Sequence, residues 1–334
     1  MLTLLVSMLA ALFVTFFITP QLMKFLYSAG VVGLDLHKKN KPKLPTSGGL
    51  CVAIGILAGL LTYIGIETFL FGLSNEIIYL LAVISSVLIV TFVGFLDDLG
   101  VKKRRVKIKD GMDIRVGLSQ WLKPLITLPA AIPLMVIKAG VTTMAIPFIG
   151  TVDFGLIYPL ILIPIGVVGA SNAINLLGGF NGSEAGMALI YTLALGLYAL
   201  LHGSIASIIF FVTFAALLGF IRYNWYPARI LPGDSLTYLL GSLVACGVIV
   251  GNMERAGIIA LIPFIIEFFL KARAKFKASC LGKLRKDGKL DAPYGKKIYS
   301  LTHVLMNLKR MKEIDVTRSL ILIEALVCCL IFFI

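Results

Sequence analysis

The residues with the most chemical capacity in this chain are carboxylates, amides and lysines, set in six short polar stretches between long apolar runs. Asp97 and Asp98 close one such run, after Gly94-Phe95-Leu96. Adjacent carboxylates at a helix C-terminus oppose the helix dipole, so a divalent cation or nearby Lys and Arg must offset them. The basic run Lys102–Lys109 follows directly, and a solvated pair neutralised by Lys102–Arg105 is the simpler alternative. Acidic residues at a membrane boundary are nevertheless functional candidates by default. Lys123 stands between Trp121 and Pro124 at the start of another apolar run, where a lysine either snorkels to the interface or meets an anion.

The densest stretch is Ser171-Asn172-Ala173-Ile174-Asn175-Leu176-Leu177-Gly178-Gly179-Phe180-Asn181-Gly182. A plain loop needs a Gly or an Asn, not three of each. Asn172 and Asn175 share a face if the preceding helix extends that far. Asn supplies a neutral oxygen for a hard cation, and paired donors and acceptors for the edge of a base. Asp35 and Lys38 precede Pro45-Thr46-Ser47-Gly48-Gly49, where Thr46 or Ser47 can N-cap a helix whose free N–H groups favour an anion. Asp234, in Pro232-Gly233-Asp234-Ser235, opens a further helix and reads equally as an N-cap. His303 in Tyr299-Ser300-Leu301-Thr302-His303 is a lone histidine and weak on its own.

The elements that must position these residues are membrane helices. Of the 334 residues 59% are hydrophobic and 14% charged, against roughly 45–50% and about 25% in a soluble domain. Only a bilayer absorbs so much apolar sequence. Runs of spanning length fall at about 2–23, 48–66, 77–96, 119–138, 155–176, 185–201, 204–222, 235–251, 256–271 and 318–334. They predict an all-α, polytopic bundle of about ten helices forming one integral membrane domain over 1–334. The 141–152 stretch is too short to span and reads as a surface hairpin. Met1–Ile18 lacks a basic leader and a small-residue cleavage site, so it is expected to be the first span. With the N-terminus placed outside, 29 of the 31 Lys and Arg residues fall in inward loops, 14 of them from Lys271 to Arg318, in and bordering a large cytoplasmic loop over 271–317 with a short helix near 300–311. Both termini then face outward, and all six polar stretches lie at the cytoplasmic face. The net charge of +14 is a topology signal, not a nucleic-acid footprint. The five cysteines show neither a disulfide framework nor zinc-ligand spacing.

Together these motifs, in this order, resemble the polyprenyl-phosphate N-acetylhexosamine-1-phosphate transferase family over nearly the whole chain. The most specific element is Asn172 to Gly182 with Glu184-Ala185-Gly186. Gly178 stands where bacterial branches usually place Asp, and the His-rich last loop of those branches is missing, which is similar to the dolichyl-phosphate branch and to an archaeal relative of it. The Arg-His-Arg sugar-binding element of the dolichyl enzyme is not visible, so the sugar-binding residues stay unassigned.

The resemblance implies a UDP-sugar donor, with GlcNAc as the expected sugar, and a polyprenyl or dolichyl phosphate acceptor. It implies Mg²⁺, or Mn²⁺ in its place, held by Asp234 and Asn175. Asn181 with the Gly179 backbone would read the uracil, and Lys123 would neutralise phosphate charge. Asp97 and Asp98 would position or deprotonate the lipid phosphate. Asp35, Lys38 and Ser47 would complete the polar rim, with Asn172 and His303 as further substrate contacts. Enzymes of this kind can form homodimers, but no small-residue face singles itself out. A transporter or flippase of similar topology would instead need functional carboxylates at mid-membrane, where Glu267 and Glu324 are the main candidates. A non-catalytic assembly subunit would have no need of Asp97, Asp98, Lys123, Asn175 and Asp234.

Overall fold

The structure, a computed structural model, describes residues 1–72, 76–100, 105–107, 113–115, 122–146 and 150–334. The basic run expected to balance Asp97 and Asp98 falls largely outside them, as does Trp121. Among the described residues, eight helical segments are long and apolar enough to cross a membrane. They are built on α1 (Leu2–Ser28), α2 (Gly49–Ile66), α3 (Ile77–Gly100), α6 (Ile163–Leu176), α7 (Ser183–Leu201), α8 (Ala206–Asn224), α9 (Gly233–Gly251) and α13 (Glu313–Cys329). At 1.5 Å per residue the 24 residues of α3 reach about 36 Å, enough for a hydrocarbon core of about 30 Å.

The other two apolar runs are interrupted, and proline is the reason. In the 119–138 run, α4 (Leu122–Thr127) and α5 (Ile132–Val136) are separated by a 3₁₀ turn over Leu128–Ala131, with Pro129 and Pro133 at the junctions. In the 256–271 run, α10 (Glu254–Ala260) breaks from α11 (Ile262–Arg273) at Leu261, and Pro263 opens the second piece. Proline lacks the N–H of a helix interior and clashes with the preceding turn. The expected hairpin is present as β5 (Thr143–Ile146) paired antiparallel with β6 (Gly150–Asp153). Within 271–317 the chain forms a two-residue ladder, β7 (Lys283–Leu284) with β8 (Leu290–Asp291), and the short helix α12 (Leu301–Leu308). Two further ladders pair β1 (Val32–Leu34) with β2 (Lys43–Pro45), and β3 (Arg105–Lys107) with β4 (Asp113–Arg115).

Helix α9 is the axis of the bundle and is buried along nearly all its length. Small residues let its neighbours close on it. A Cβ on Gly94 of α3 would lie 2.5 Å from Ser235 Cα, and one on Gly241 of α9 only 2.3 Å from the Ala170 carbonyl of α6. Such contacts take the place of the hydrophobic driving force that lipid cannot supply. Phe13, Phe17, Phe92 and Phe269 remain exposed on the outer surface, as lipid-facing residues do.

Candidate active site

The polar residues meet at one end of the bundle, where α3, α6 and α11 finish and α2, α7, α9 and α13 begin. Asp98, near the C-terminus of α3, caps α9 from across the interface. Its Oδ1 accepts the Asp234 N–H at 2.9 Å, and its Oδ2 accepts the Ser235 N–H at 3.2 Å and the Ser47 hydroxyl at 2.7 Å. The unpaired N–H groups and positive end of α9 thus offset a carboxylate that its own helix disfavours. Ser47 sits in the left-handed region, at φ +71°, and its hydroxyl is committed to Asp98. The expected side-chain N-cap on α2 is therefore not formed: the cap is Gly48, and the Gly48 and Gly49 N–H groups bond the Leu231 and Pro232 carbonyls instead of facing an anion. Asp234 is likewise not the cap of α9 but a residue of its first turn.

Lys123 joins α4 to both carboxylate helices. Its Nζ lies 2.9 Å from Asp97 Oδ2 and 3.0 Å from Asp234 Oδ2. Tyr238, one turn beyond Asp234 on α9, donates to Asp97 Oδ2 at 3.1 Å. Beside them the Thr237 hydroxyl lies within hydrogen-bond distance of Asn175 Oδ1 (3.1 Å) and of the Asp234 carbonyl (3.2 Å), so Asn175 and Asp234 are neighbours. Both line a cavity of about 340 Å³ together with Asp35, Gly179, Asn181 and Lys271.

The loop from Gly178 to Gly182 forms one wall of this cavity. Glu184, in the first turn of α7, accepts the Gly179 N–H at 2.7 Å and the Ser183 hydroxyl at 2.6 Å. Asn181 Oδ1 accepts from Lys38 Nζ at 3.1 Å and from the Ala228 N–H at 2.9 Å. The His37 ring stacks on Phe180 with centroids 4.6 Å apart. The segment after α11 crosses opposite this loop, and Cys280 Sγ donates to the Gly178 carbonyl at 2.7 Å. Burial pushes the Cys280 thiol up, against the pull of the Lys271 ammonium.

A family model described as glycosyl transferase family 4 matches residues 80–252, slightly more than half of the chain. A protein of Saccharolobus solfataricus named "Putative UDP-N-acetylglucosamine--dolichyl-phosphate N-acetylglucosaminephosphotransferase" is 32% identical over 328 residues, covering 97% of this chain and 94% of that protein. This chain belongs to glycosyl transferase family 4. The UDP-N-acetylglucosamine--dolichyl-phosphate N-acetylglucosaminephosphotransferase of Dictyostelium discoideum is 25% identical over 76% of this chain and 68% of its own length. A phospho-N-acetylmuramoyl-pentapeptide-transferase of Shouchella clausii is 33% identical over 73% and 72%.

In this family 4 chain the residues singled out from sequence take three kinds of place. Asp35, Asn175, Gly179, Asn181 and Asp234 line the cavity. Lys123 contacts the Asp234 carboxylate and Asp98 its backbone N–H, with Asp97 held by Lys123 and Ser47 by Asp98, while Lys38 stands behind Asn181. Asn172 and His303 are not brought to the cavity. The Asn172 amide donates to the Val168 carbonyl and to Thr127 Oγ1, at 2.8 and 3.2 Å. Nδ1 of His303 faces the Tyr299 N–H at 3.2 Å and its Nε2 faces the Ser279 carbonyl at 2.9 Å, so both ring nitrogens serve to hold the loop. Burial, with the Lys271 charge nearby, pulls its pKa down to about 4. Sequence reading passed over Tyr238, Lys271 and Glu313, and quoted Glu184 only within its motif, with no role. Tyr238 carried a signal, four residues after Asp234 on one helix face, while Glu313 sits near the end of the 271–317 segment and carried none.

Proposed function

We propose that this protein transfers a sugar-1-phosphate, GlcNAc-1-phosphate by likeness to its relatives, from a UDP-sugar to a polyprenyl or dolichyl phosphate. A lipid phosphate oxygen attacks the β-phosphorus, the bond from that phosphorus to the bridging oxygen breaks, and UMP leaves with the bridging oxygen. The product is a lipid-diphosphate-linked sugar, the starting point of a lipid-linked glycan. The observation that carries this reading is Lys123 held between Asp97 and Asp234, with Asn175 beside them at the wall of one cavity.

Both reactants are anions, so the main barrier is electrostatic, and positioning supplies much of the rest. Lys123 offers a fixed positive charge. Asp97 and Asp234 both contact it and Asp98 lies against the Asp234 backbone, so carboxyl groups outnumber ammonium groups here, an excess of acid over base. That excess, with the amide oxygen of Asn175 alongside, fits a hard divalent cation. Among the described residues no three His, Cys, Asp or Glu side chains converge on one point. Asp234 and Asn175 would therefore hold Mg²⁺ with donor diphosphate oxygens and water completing its shell, the usual mode for this ion. When bound, the ion would withdraw charge from the diphosphate. Direct attack is favoured over a covalent aspartyl intermediate, because Asp98 already accepts three hydrogen bonds and Asp97 is engaged by Lys123 and Tyr238. Nor does the lipid phosphate need a base, being largely ionised at pH 7 with a second pKa of about 6.

The site lies at the helix ends bordered by the basic 271–317 segment, which the distribution of Lys and Arg puts in the cytoplasm, where UDP-sugars are made. The test is UMP release by purified protein given UDP-GlcNAc, polyprenyl phosphate and Mg²⁺, with EDTA and Asp234→Ala controls. Release that needs lipid and metal and is lost in Asp234→Ala is expected. Absence of release across UDP-GlcNAc, UDP-GalNAc and other UDP-sugars would overturn the reading.

A further inference from the structure

The first turns of α13 grip residue 181 on both sides of its backbone. Glu313 Oε1 accepts the Asn181 N–H at 2.8 Å, and Thr317, one turn later on the same helix face, donates its hydroxyl to the Asn181 carbonyl at 3.1 Å. The second carboxylate oxygen of Glu313 is paired with the Lys38 ammonium, which also lies 3.2 Å from Asp35 Oδ2 and 4.2 Å from the centre of the Tyr226 ring. From that position Lys38 donates to Asn181 Oδ1 at 3.1 Å, while the Ala228 N–H supplies a second donor at 2.9 Å. His37 Nδ1 stands 3.6 Å from Glu313 Oε1.

Two consequences follow from hydrogen-bond chemistry alone. Both acceptor directions of Asn181 Oδ1 are filled by donors, so an amide flip would set an NH₂ group against an ammonium and an N–H. The NH₂ edge is then the part of this cavity-lining side chain with no partner among the described residues. Glu313 itself is only 3% exposed and does not line the cavity.

We propose that Glu313 is a positioning residue for the nucleotide: through the Asn181 N–H and Lys38 it locks the Asn181 amide with its donor edge toward the base. The proposal rests on the reading of the cavity as a UDP-sugar site. A fixed NH₂ donor suits a ring carbonyl, as in uracil, and opposes an exocyclic amino group, as in cytosine. Glu313 thereby contributes to base selectivity from the first residue of a helix that lines no part of the cavity.

Glu313→Gln keeps the size and one acceptor but removes the charge that holds Lys38. UMP binding to the purified protein, measured calorimetrically, should weaken about 10- to 100-fold, the usual effect of losing a charge-assisted contact. KM for the UDP-sugar should rise by a similar factor, with kcat and KM for the lipid phosphate within about three-fold of wild type. The preference for UMP over CMP should fall by at least about five-fold, an effect a merely structural brace would not produce. Thr317→Val should act in the same direction and more weakly, and it carries the test if Glu313→Gln does not fold. Unchanged UMP affinity and UMP/CMP ratio in the folded variants would overturn the proposal, as would an equal loss of kcat, lipid affinity and thermal stability. Wild-type protein that binds UMP but releases none in the presence of lipid and UDP-sugar would sink the transfer reaction and leave the clamp standing. Wild-type protein that binds no uridine nucleotide would sink the clamp.

Discussion

Gly94→Ala asks whether the site depends on how closely α3 and α9 approach. Gly94 lies one turn before Asp98, and a Cβ there would fall 2.5 Å from Ser235 Cα, 2.7 Å from Ser235 N and 2.7 Å from the Asp234 carbonyl. All three are backbone atoms of α9, so no side chain can swing aside. Ordinary carbon contacts are about 3.5–4.0 Å, which leaves a shortfall of about 1 Å that only separation of the helices can supply. The Asp98–Asp234 N–H bond, now 2.9 Å, would stretch past the range of a hydrogen bond. Lys123 could no longer bridge Asp97 on α3 and Asp234 on α9 at 2.9 and 3.0 Å. Overpacking of this kind costs about 1–3 kcal/mol of stability, and a misplacement of about 1 Å costs about 100-fold in rate. The assay is UMP release under saturating substrates, with a thermal melt in the same detergent. Gly169→Ala is the control, since nothing lies within 4 Å of its Cβ position; it should leave turnover intact. A Gly94→Ala enzyme turning over within about three-fold of wild type would refute the reasoning.

Lys123→Met should abolish turnover, by about 1,000-fold or more, and lower the melting temperature, because it strands buried carboxylates without their cation; a stable, active variant would remove Lys123 from the machinery. Asn175→Ala should lose activity and its dependence on Mg²⁺ concentration, whereas Asn172→Ala, turned away toward Val168 and Thr127, should keep most of its rate; similar rates in the two variants would contradict the assignment. The neutral His303 predicts acid sensitivity. Its folded pKa of about 4 lies below the free value of 6.5, so between those pH values the unfolded chain binds a proton that the folded chain refuses. Stability should therefore fall as pH drops from about 6.5 to 4, by about 3 kcal/mol from this group. Melting curves of wild type and His303→Gln across that range should converge at low pH, and parallel curves would refute the assignment.

The sequence announced the charged and amide side chains of the candidate site more clearly than their supports. Asp97, Asp98, Lys123, Asn175 and Asp234 are ionic or amide groups at the ends of apolar runs, where chance polar residues are expensive, so their types alone marked them. Eight spans were readable for the same reason: nothing but a bilayer explains their length. The two broken runs were not, because Pro129, Pro133 and Pro263 sit in stretches whose hydropathy matches a span, and hydropathy is blind to a missing N–H. The bonds of Ser47 and Asp98 were not legible because capping is read locally, whereas Asp98 caps a helix that begins at Gly233, 135 residues later. Glu313 and Glu184 were opaque in another way. Each makes its contacts with backbone groups of a distant or adjacent loop, and backbone N–H groups carry no sequence signature. His303, weak as a lone histidine, stood among the expected substrate contacts, and its two ring contacts hold the loop instead.

The capping of α9 by Asp98 of α3 also bears on how such an enzyme can diversify. Asp98, Lys123 and Asp234 are carried by helices tied to one another, while the far wall of the cavity is the 276–281 segment, fastened by contacts such as Cys280 to Gly178 and Lys271 to the Ala278 carbonyl. Insertions or exchanges in that segment alter what the cavity admits without shifting Asp98 relative to Asp234. The lining of that wall can then vary under selection while the arrangement of Asp98, Asp234 and Lys123 stays constant.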